Sequence, residues 1–475
     1  MKARILLFSI IILGIALRAS GLFHDFWLDE IWTFLMVSEL ESPVGIFTEL
    51  LHDNNHHLNS LYIFVMGTDL PANWVKYRLL SFFCGIAAIL MIYLLGKRIF
   101  SSKGTGVISA FLAAISYPLI LYSVEARGYS PLIFFSLASL YLLIEYLATE
   151  KPKYLFLFYL SFLAGMLSHL QFTLVAAGLF FLACADISAE PVSLRRKAVK
   201  MLRIFFAPAA LALIILAPFL LHYQSGGAPI LAEMTVINSF VVNLFGCTTA
   251  NYINYAWMAL LAAVILSELR YLSGRDTGFR NFIIMMILIP AALLLTKALT
   301  GKVPYLRSRH FIVAIPFIII VLSHFLFRLM RRPGYARLAS IVIVSFMVIG
   351  TLIRDVQFLK IGRGRHFEAL SHMSENSDTQ DITVTSDHDF RVSMTLRFYA
   401  PYFAKKNFVY IPIGKVPADG AGWFIKQLTS REYYSNGARL PESIGIRGKK
   451  ASYKLEKEFP SFSGIYWALY RNTDS

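Results

Sequence analysis

The sequence predicts a mainly α, polytopic membrane protein of about eleven transmembrane helices, with a small α/β soluble domain at its C-terminal end. Three observations predict it. The first is composition: of 475 residues, 57% are hydrophobic and 16% charged, with a mean hydropathy of +0.59, whereas soluble domains carry about a quarter charged residues. That apolar excess is too large for one water-soluble core and excludes a soluble enzyme. The second is the recurrence of apolar runs broken by short polar gaps. The third is the placement of the 45 Lys and Arg residues, which outnumber 29 Asp and Glu for a net charge of +16. A nucleic-acid binder would cluster its cations on a polar surface; here they sit between apolar runs, so no nucleic-acid partner is expected. Of the three cysteines, Cys84 and Cys184 fall inside apolar runs, and with Cys247 they make no disulfide framework.

A membrane span needs roughly 20 mostly apolar residues. Runs of that kind lie near Ile5–Leu17, Leu79–Leu95, Val107–Tyr122, Leu132–Leu147, Tyr154–Leu167, Leu170–Ala185, Ile204–Leu221, Tyr255–Leu266, Phe282–Leu299, Phe311–Phe327 and Leu338–Ile353. The first resembles a secretory signal, with Lys2 and Arg4 ahead of it and Ala-Ser-Gly behind, but Arg18 just before that site favours an uncleaved helix. Alternate gaps hold the basic excess: Lys97, Arg98 and Lys103; Lys151 and Lys153; Arg195, Arg196, Lys197, Lys200 and Arg203; Arg270, Arg275 and Arg280; Arg328, Arg331, Arg332 and Arg337. These gaps are therefore read as cytoplasmic. The N-terminus is then cytoplasmic, and the opposite side of a bacterial inner membrane receives a long first loop, about 21–78, together with the tail. The tail is polar, with β-type runs Ile382–Thr385, Phe408–Ile413 and Ile465–Tyr470. The expected division is a transmembrane domain over 1–353 and an extracytoplasmic soluble domain over 354–475, long enough for a modest core of its own. No phosphate-binding glycine loop occurs, and no cytoplasmic gap could hold a nucleotide-binding domain.

Chemistry is expected in the outer loops. His24-Asp25-Phe26-Trp27-Leu28-Asp29-Glu30 sets carboxylates among aromatic rings directly after a span. Charge at that depth is costly and tends to be functional. Asp29 reads either as a catalytic base or as a helix N-cap, and Glu30 as its supporting carboxylate or a first-turn residue favoured by the helix dipole. Further on, His52 and His56 would share one face of a helix at i, i+4, a weak signal for a divalent metal that lacks further ligands; no cofactor is required. Polar substrate contact by His56, His57 and Asn59 competes with a solvated turn before an amphipathic helix. The outer-face cations are Lys76, Arg78, Arg127, Lys302, Arg307 and Arg309. Guanidinium pairs with phosphate oxygens in a bidentate way, so Arg127 and Arg309, with Arg78, Lys302 and Arg307, are candidates to hold a lipid phosphate. Snorkelling to headgroups is the alternative. Glu125, Tyr129 and His310 flank these arginines and are placed with the substrate. His169 reads as a packed histidine and Glu233 as a solvated loop residue.

Taken together, Trp27-Leu28-Asp29-Glu30, Tyr77-Arg78-Leu79-Leu80-Ser81, Leu94-Leu95-Gly96-Lys97-Arg98-Ile99-Phe100, Tyr122-Ser123-Val124-Glu125-Ala126-Arg127-Gly128-Tyr129 and Arg309-His310 resemble the C-type superfamily of integral-membrane glycosyltransferases, in its protein O-mannosyltransferase and aminoarabinose-transferase group. The resemblance implies a membrane-embedded glycosyltransferase. Such an enzyme takes sugar from a polyprenyl-phosphate donor and passes it to a hydroxyl of a glycan, lipid or protein on the outer face. It further implies that Asp29 is the general base and that Arg127 and Arg309 lie at the lipid-phosphate end. Relatives carry two prolines where this chain has His57-Leu58-Asn59-Ser60-Leu61-Tyr62, a departure that bears on the acceptor. The rival readings are a lipid-linked sugar flippase or transporter, which would show inverted repeats and charges buried in spans, a ligase or polymerase of lipid-linked glycans, and a non-catalytic scaffold. Neither repeats nor buried charges are evident in the sequence.

Overall fold

The computed structural model of the chain describes residues 2–69, 74–224, 233–246, 251–300, 307–429, 440–446, 451–462 and 464–473. The chain forms two compact units. One comprises Met1–Ala19, Leu40–Val65 and Tyr77–Asp355, and the other Ser20–Glu39, Met66–Lys76 and Val356–Ser475. Two pieces of the first loop thus fold with the tail.

In the first unit the apolar runs become helices, because in a bilayer the backbone must satisfy its own hydrogen bonds. Eight described helices are long and apolar enough to cross a membrane, or nine if one bent pair counts as a span. The expected eleven runs exceed this because Pro152–Ser168 and Phe172–Ser188 are apolar but only 17 residues each, about 26 Å at 1.5 Å per residue. The bent pair is Lys103–Ile115 with Tyr117–Ser123, turned by 61°, where the sequence suggested one continuous run. Pro118 has no N–H for the carbonyl of Ala114 and its ring would clash there in a straight helix. The buried Arg18 supplies the missing donors: its Nη1 donates to Ala114 O (3.0 Å) and Nη2 to Ala113 O (3.3 Å), while Nε reaches Ser123 Oγ at 3.2 Å. Asp355, itself buried on helix Tyr335–Ile361, acts on it electrostatically.

A second buried charge group sits where helices Asn251–Ser273 and Ile315–Met330 meet. Glu268 lies 2.5 Å from His324 Nδ1 and 3.2 Å from Arg328 Nη2, and Phe100 stacks on the His324 ring at 3.9 Å. Charges buried within spans are therefore present, contrary to the sequence reading. Apolar periodicity hides them because each is a single residue in an otherwise greasy helix.

The second unit is built on a six-stranded sheet: β1 (Asp381–Ser386), β2 (Asn407–Tyr410), β3 (Trp423–Thr429), β4 (Ser443–Gly445), β5 (Ser452–Phe459) and β6 (Ile465–Asn472), in the order β2-β1-β3-β6-β5-β4. β1 runs parallel to β2 and β3, and the other pairings are antiparallel. The parallel β1–β2 pair needs a crossover, and helix Asp389–Tyr399 supplies it. β6 is buried at all but one position, as expected for a central strand covered on both faces. The first-loop segment adds apolar cover: Phe26 stacks on Phe398 at 5.4 Å, and Trp32 meets Phe390 edge-on. Tyr399 Oη accepts from Phe26 N at 2.7 Å, and Asp25 Oδ2 accepts from Phe367 N in the first turn of helix His366–Glu375. These contacts join the first-loop segment and the tail in one folded unit.

Candidate functional site

In the first unit the candidate residues gather around one turn. Val124–Gly128 joins helices Tyr117–Ser123 and Tyr129–Thr149 and is pinned from three directions. Asn59 Nδ2 donates to Ala126 O at 2.6 Å, Ser81 Oγ to Arg127 O at 2.9 Å, and the Gly128 N–H to His56 Nδ1 at 2.6 Å. Only glycine fits at 128, since a Cβ there would come within 1.9 Å of Ser168 O and 2.9 Å of the His56 ring. With Nδ1 accepting, the neutral His56 ring carries its proton on Nε2. The 3.3 Å approach of Arg127 Nη2 to that nitrogen then brings two donors together and is packing rather than a hydrogen bond.

The Tyr129 ring forms the centre of this group. Arg127 Cζ lies 5.3 Å from it, and the rings of His56, His169 and Tyr122 lie at 5.1, 5.0 and 4.6 Å. His56 and His169 are 4.7 Å apart. Burial pushes the His169 imidazole down to about 3, helped by His310, Arg127 and Arg309. His56 is likewise held well below its ordinary value, first by burial and then by Arg127, His169 and Arg309. Both rings are therefore neutral at physiological pH, and the positive charge of the cluster resides on the arginines. Gln171 Nε2 donates to Arg309 O at 3.2 Å, and the Arg307 N–H donates to His310 Nδ1 at 3.2 Å, which shapes the 3-10 turn Ser308–Ala314.

Sequence reasoning assigned Asp53 no role, yet it acts electrostatically on His169 and His310. Its carboxylate lies 2.8 Å from His52 Nδ1, and its N–H donates to Gln224 O at 2.9 Å, beside the isolated bridge His52–Gln224. A long-range pairing of this kind leaves no local periodicity.

The expected metal spacing does not form. Residues 52–56 are not helical, because His52 pairs with Gln224 and His56 turns toward Gly128. Among the described residues no group of three His, Cys, Asp or Glu is arranged to hold a metal ion. His57 begins helix His57–Val65, buried and stacked on Phe47 at 5.4 Å, and burial pushes it down to about 4. The Asn59 amide is likewise fully buried, with its NH2 committed to Ala126. Arg78 is buried on helix Val75–Ile99, and Glu125 is buried beside Arg127, whose N–H donates to its carbonyl at 2.8 Å. Lys302 and Cys247 lie outside the described residues, as does the Glu233 side chain.

The first-loop carboxylates belong to the second unit. Helix Leu28–Ser38 is capped by Trp27, so Asp29 is its second residue and not its N-cap. Glu30 is fully buried, and its Oε2 accepts the Trp27 N–H at 2.8 Å. This is the reciprocal half of a capping box, because Trp27 has no acceptor to offer. The Arg363 guanidinium lies over the Trp27 ring at 3.8 Å. Asp29 itself is half-buried, and its carbonyl accepts from Thr33 Oγ1.

Residues 59–222 match the family model of dolichyl-phosphate-mannose-protein mannosyltransferases. No curated protein sequence matches the chain. Among solved structures, ArnT from Cupriavidus metallidurans in the apo state aligns at 10% identity and a TM-score of 0.52, covering 99% of this chain and 98% of that one. ArnT bound to undecaprenyl phosphate aligns at 11% identity and a TM-score of 0.50, with 98% and 97% covered. The Archaeoglobus fulgidus oligosaccharyltransferase in the apo form gives 14% and 0.53, with 90% and 70% covered. At these identities the alignments speak for the fold. The chain therefore has the fold of the C-type integral-membrane glycosyltransferases, and its residues 59–222 carry the sequence pattern of their mannosyltransferase family.

Proposed function

We propose that the chain transfers a sugar from a polyprenyl-phosphate carrier to an acceptor hydroxyl of a glycan, lipid or protein on the outer face of the membrane. The observation that carries this reading is the buried cluster around Tyr129, in which Arg127 and Arg309 stand among histidines held neutral. Such a cluster suits a phosphate that gains negative charge as its bond to the sugar breaks, because preorganised donors stabilise charge most in a dry site. In the scheme, the acceptor oxygen attacks the anomeric carbon from the face opposite the phosphate. The C–O bond to phosphate breaks, its electron pair stays on the phosphate, and configuration inverts. The acceptor proton passes to the Asp29 carboxylate as general base. Arg127 and Arg309 neutralise the departing phosphate, and Arg307 and His310 shape that end of the site. Glu125 and Tyr129 line the donor's path, while Asn59 and His56 hold the Arg127 turn. We place the N-terminus in the cytoplasm and the C-terminal unit outside a bacterial inner membrane, on the distribution of Lys and Arg between alternate gaps.

One observation favours a different base: Asp53 is a carboxylate in the same unit as the arginines and acts on the same histidines. The test incubates purified protein in vesicles with radiolabelled polyprenyl-phosphate sugars and membrane extract. Asp29→Asn should abolish label transfer at unchanged protein yield, and Asp53→Asn should retain it. The reverse pattern would move the base to Asp53. Label crossing the bilayer without being transferred would establish the flippase reading instead.

A further inference from the structure

Helix Leu194–Leu221 begins with a dense run of cations outside the cluster around Tyr129. They line an open groove of about 510 Å³ with Tyr146 and Glu150, which end the neighbouring helix Tyr129–Thr149. The groove carries Arg195, Arg196, Lys200 and Arg203 against one carboxylate. That carboxylate is already taken: Lys200 Nζ lies 2.5 Å from Glu150 and 2.6 Å from Glu190. Arg195, Arg196 and Arg203 are exposed, and among the described residues none is in an ion pair, although Arg203 acts electrostatically on Glu150.

Several cations at other helix ends are each held by a partner. Arg98 pairs with Glu145 at 2.7 Å, Arg328 with Glu268, Arg275 lies over the Tyr271 ring, and Arg331 lies over Phe327. Those contacts are what orientation signals and structural pairs look like. The groove differs in leaving three guanidiniums around a solvent-filled hollow.

Helical spacing divides the residues into two adjacent stripes. Arg196, Lys200 and Arg203 at i, i+4, i+7 form one. Arg195, Val199, Leu202 and Phe206 at i, i+4, i+7, i+11 form the other, and its three apolar members are exposed. The first stripe offers bidentate donors to a phosphodiester. The second leads from the groove along an apolar ridge toward the membrane interior.

We infer that this groove is a binding site for one anionic phospholipid, its phosphodiester held by Arg196 and Arg203 and its acyl chain lying on the Val199–Leu202–Phe206 ridge. The ligand is a lipid and not a free anion because the cationic stripe and the apolar ridge lie side by side on one helix. The site is independent of the transfer chemistry.

The test is lipid retention by the purified full-length chain in detergent, read by native mass spectrometry during titration with phosphatidylglycerol or phosphatidylcholine. Wild type should hold one phosphatidylglycerol in preference to phosphatidylcholine. Each Lys or Arg near an anionic headgroup contributes about 1 kcal/mol, so Arg195→Gln/Arg196→Gln/Arg203→Gln should weaken that binding on the order of 100-fold. Val199→Trp, which keeps every charge and fills the groove, should also release the lipid. Arg331→Gln/Arg332→Gln, at another helix end, should not. Equal retention by wild type and the triple variant would overturn the assignment. Displacement of phosphatidylglycerol by inorganic phosphate would overturn it too, making the groove a site for free anions.

Discussion

Replacing Gly128 by alanine tests the candidate site with a single methyl group. Gly128 has an ordinary helical φ of −72°, so alanine imposes no backbone strain and the effect is purely steric. The added Cβ would stand 1.9 Å from Ser168 O, a backbone atom that cannot rotate away, where ordinary contact begins near 3.4 Å. The turn or the end of helix Pro152–Ser168 must therefore move by about 1.5 Å. Overpacking of this kind costs about 1–3 kcal/mol. Loss of the 2.6 Å bond from Gly128 N–H to His56 Nδ1 adds roughly 1 kcal/mol, because both groups are buried. A total of about 2–4 kcal/mol leaves a folded but weakened protein. The functional effect is larger in proportion, since a displacement near 1 Å of a positioning group costs about 100-fold in rate, and Arg127 precedes the shifted residue. The assay is initial-rate label transfer from a polyprenyl-phosphate sugar, with thermal unfolding in detergent on the same preparation. We expect transfer reduced about 100-fold. A Gly128→Ala protein with wild-type rate and stability would show that the turn does not position Arg127 and would refute the reasoning.

Arg18→Met should destabilise the first unit by about 3–5 kcal/mol, the range for removing one partner of a buried charge set, because the Ala113 and Ala114 carbonyls lose the Arg18 donors and Asp355 loses one of the two arginines that act on it. Adding Asp355→Asn should restore part of that loss, and equal yields of the two variants in detergent would contradict the pairing. Burial holds His57 and His169 neutral in the folded chain, so below about 6.5 the unfolded chain binds protons that the folded chain does not. Stability should therefore fall as pH drops from about 6.5 toward 4, by roughly 2 kcal/mol per histidine at pH 5. His57→Phe should flatten that slope, and an unchanged slope would remove His57 from the account. Asn59→Leu should remove the 2.6 Å bond to the Ala126 carbonyl at a cost of about 1 kcal/mol and slow transfer in the assay above; an unaltered rate would separate the Asn59 bond from the position of Arg127.

Much of the architecture is legible because bilayer and strand periodicities are local. The apolar runs are helical, with Val107–Tyr122 divided over a bent pair, and Ile382–Thr385, Phe408–Ile413 and Ile465–Tyr470 mark β1, β2 and β6. The bend at Ser116 was less visible, since Tyr117-Pro118 interrupts a run that otherwise scores as one span. Arg18 reads in the sequence only as a residue that argues against cleavage of the first run, and nothing near it in sequence names Ala113, Ala114 or Ser123 as its partners. Asp29 and Arg127 were legible as unusual polar residues at span ends. Asp53 was not, because its proximity to His169 and His310 comes from chain segments more than a hundred residues apart.

The sequence by itself determined that this is a membrane chain of many helices with a small α/β region at its end, because hydrophobic length and β-type runs are set residue by residue. Only the tertiary structure decided that Ser20–Glu39 and Met66–Lys76 fold with the tail, that His52 and His56 share no helix face, and that His56, Asn59 and Ser81 converge on the turn bearing Arg127. Those outcomes depend on buried donors finding acceptors across distant segments. A dry interior makes such bonds obligatory, and local sequence leaves their partners unspecified.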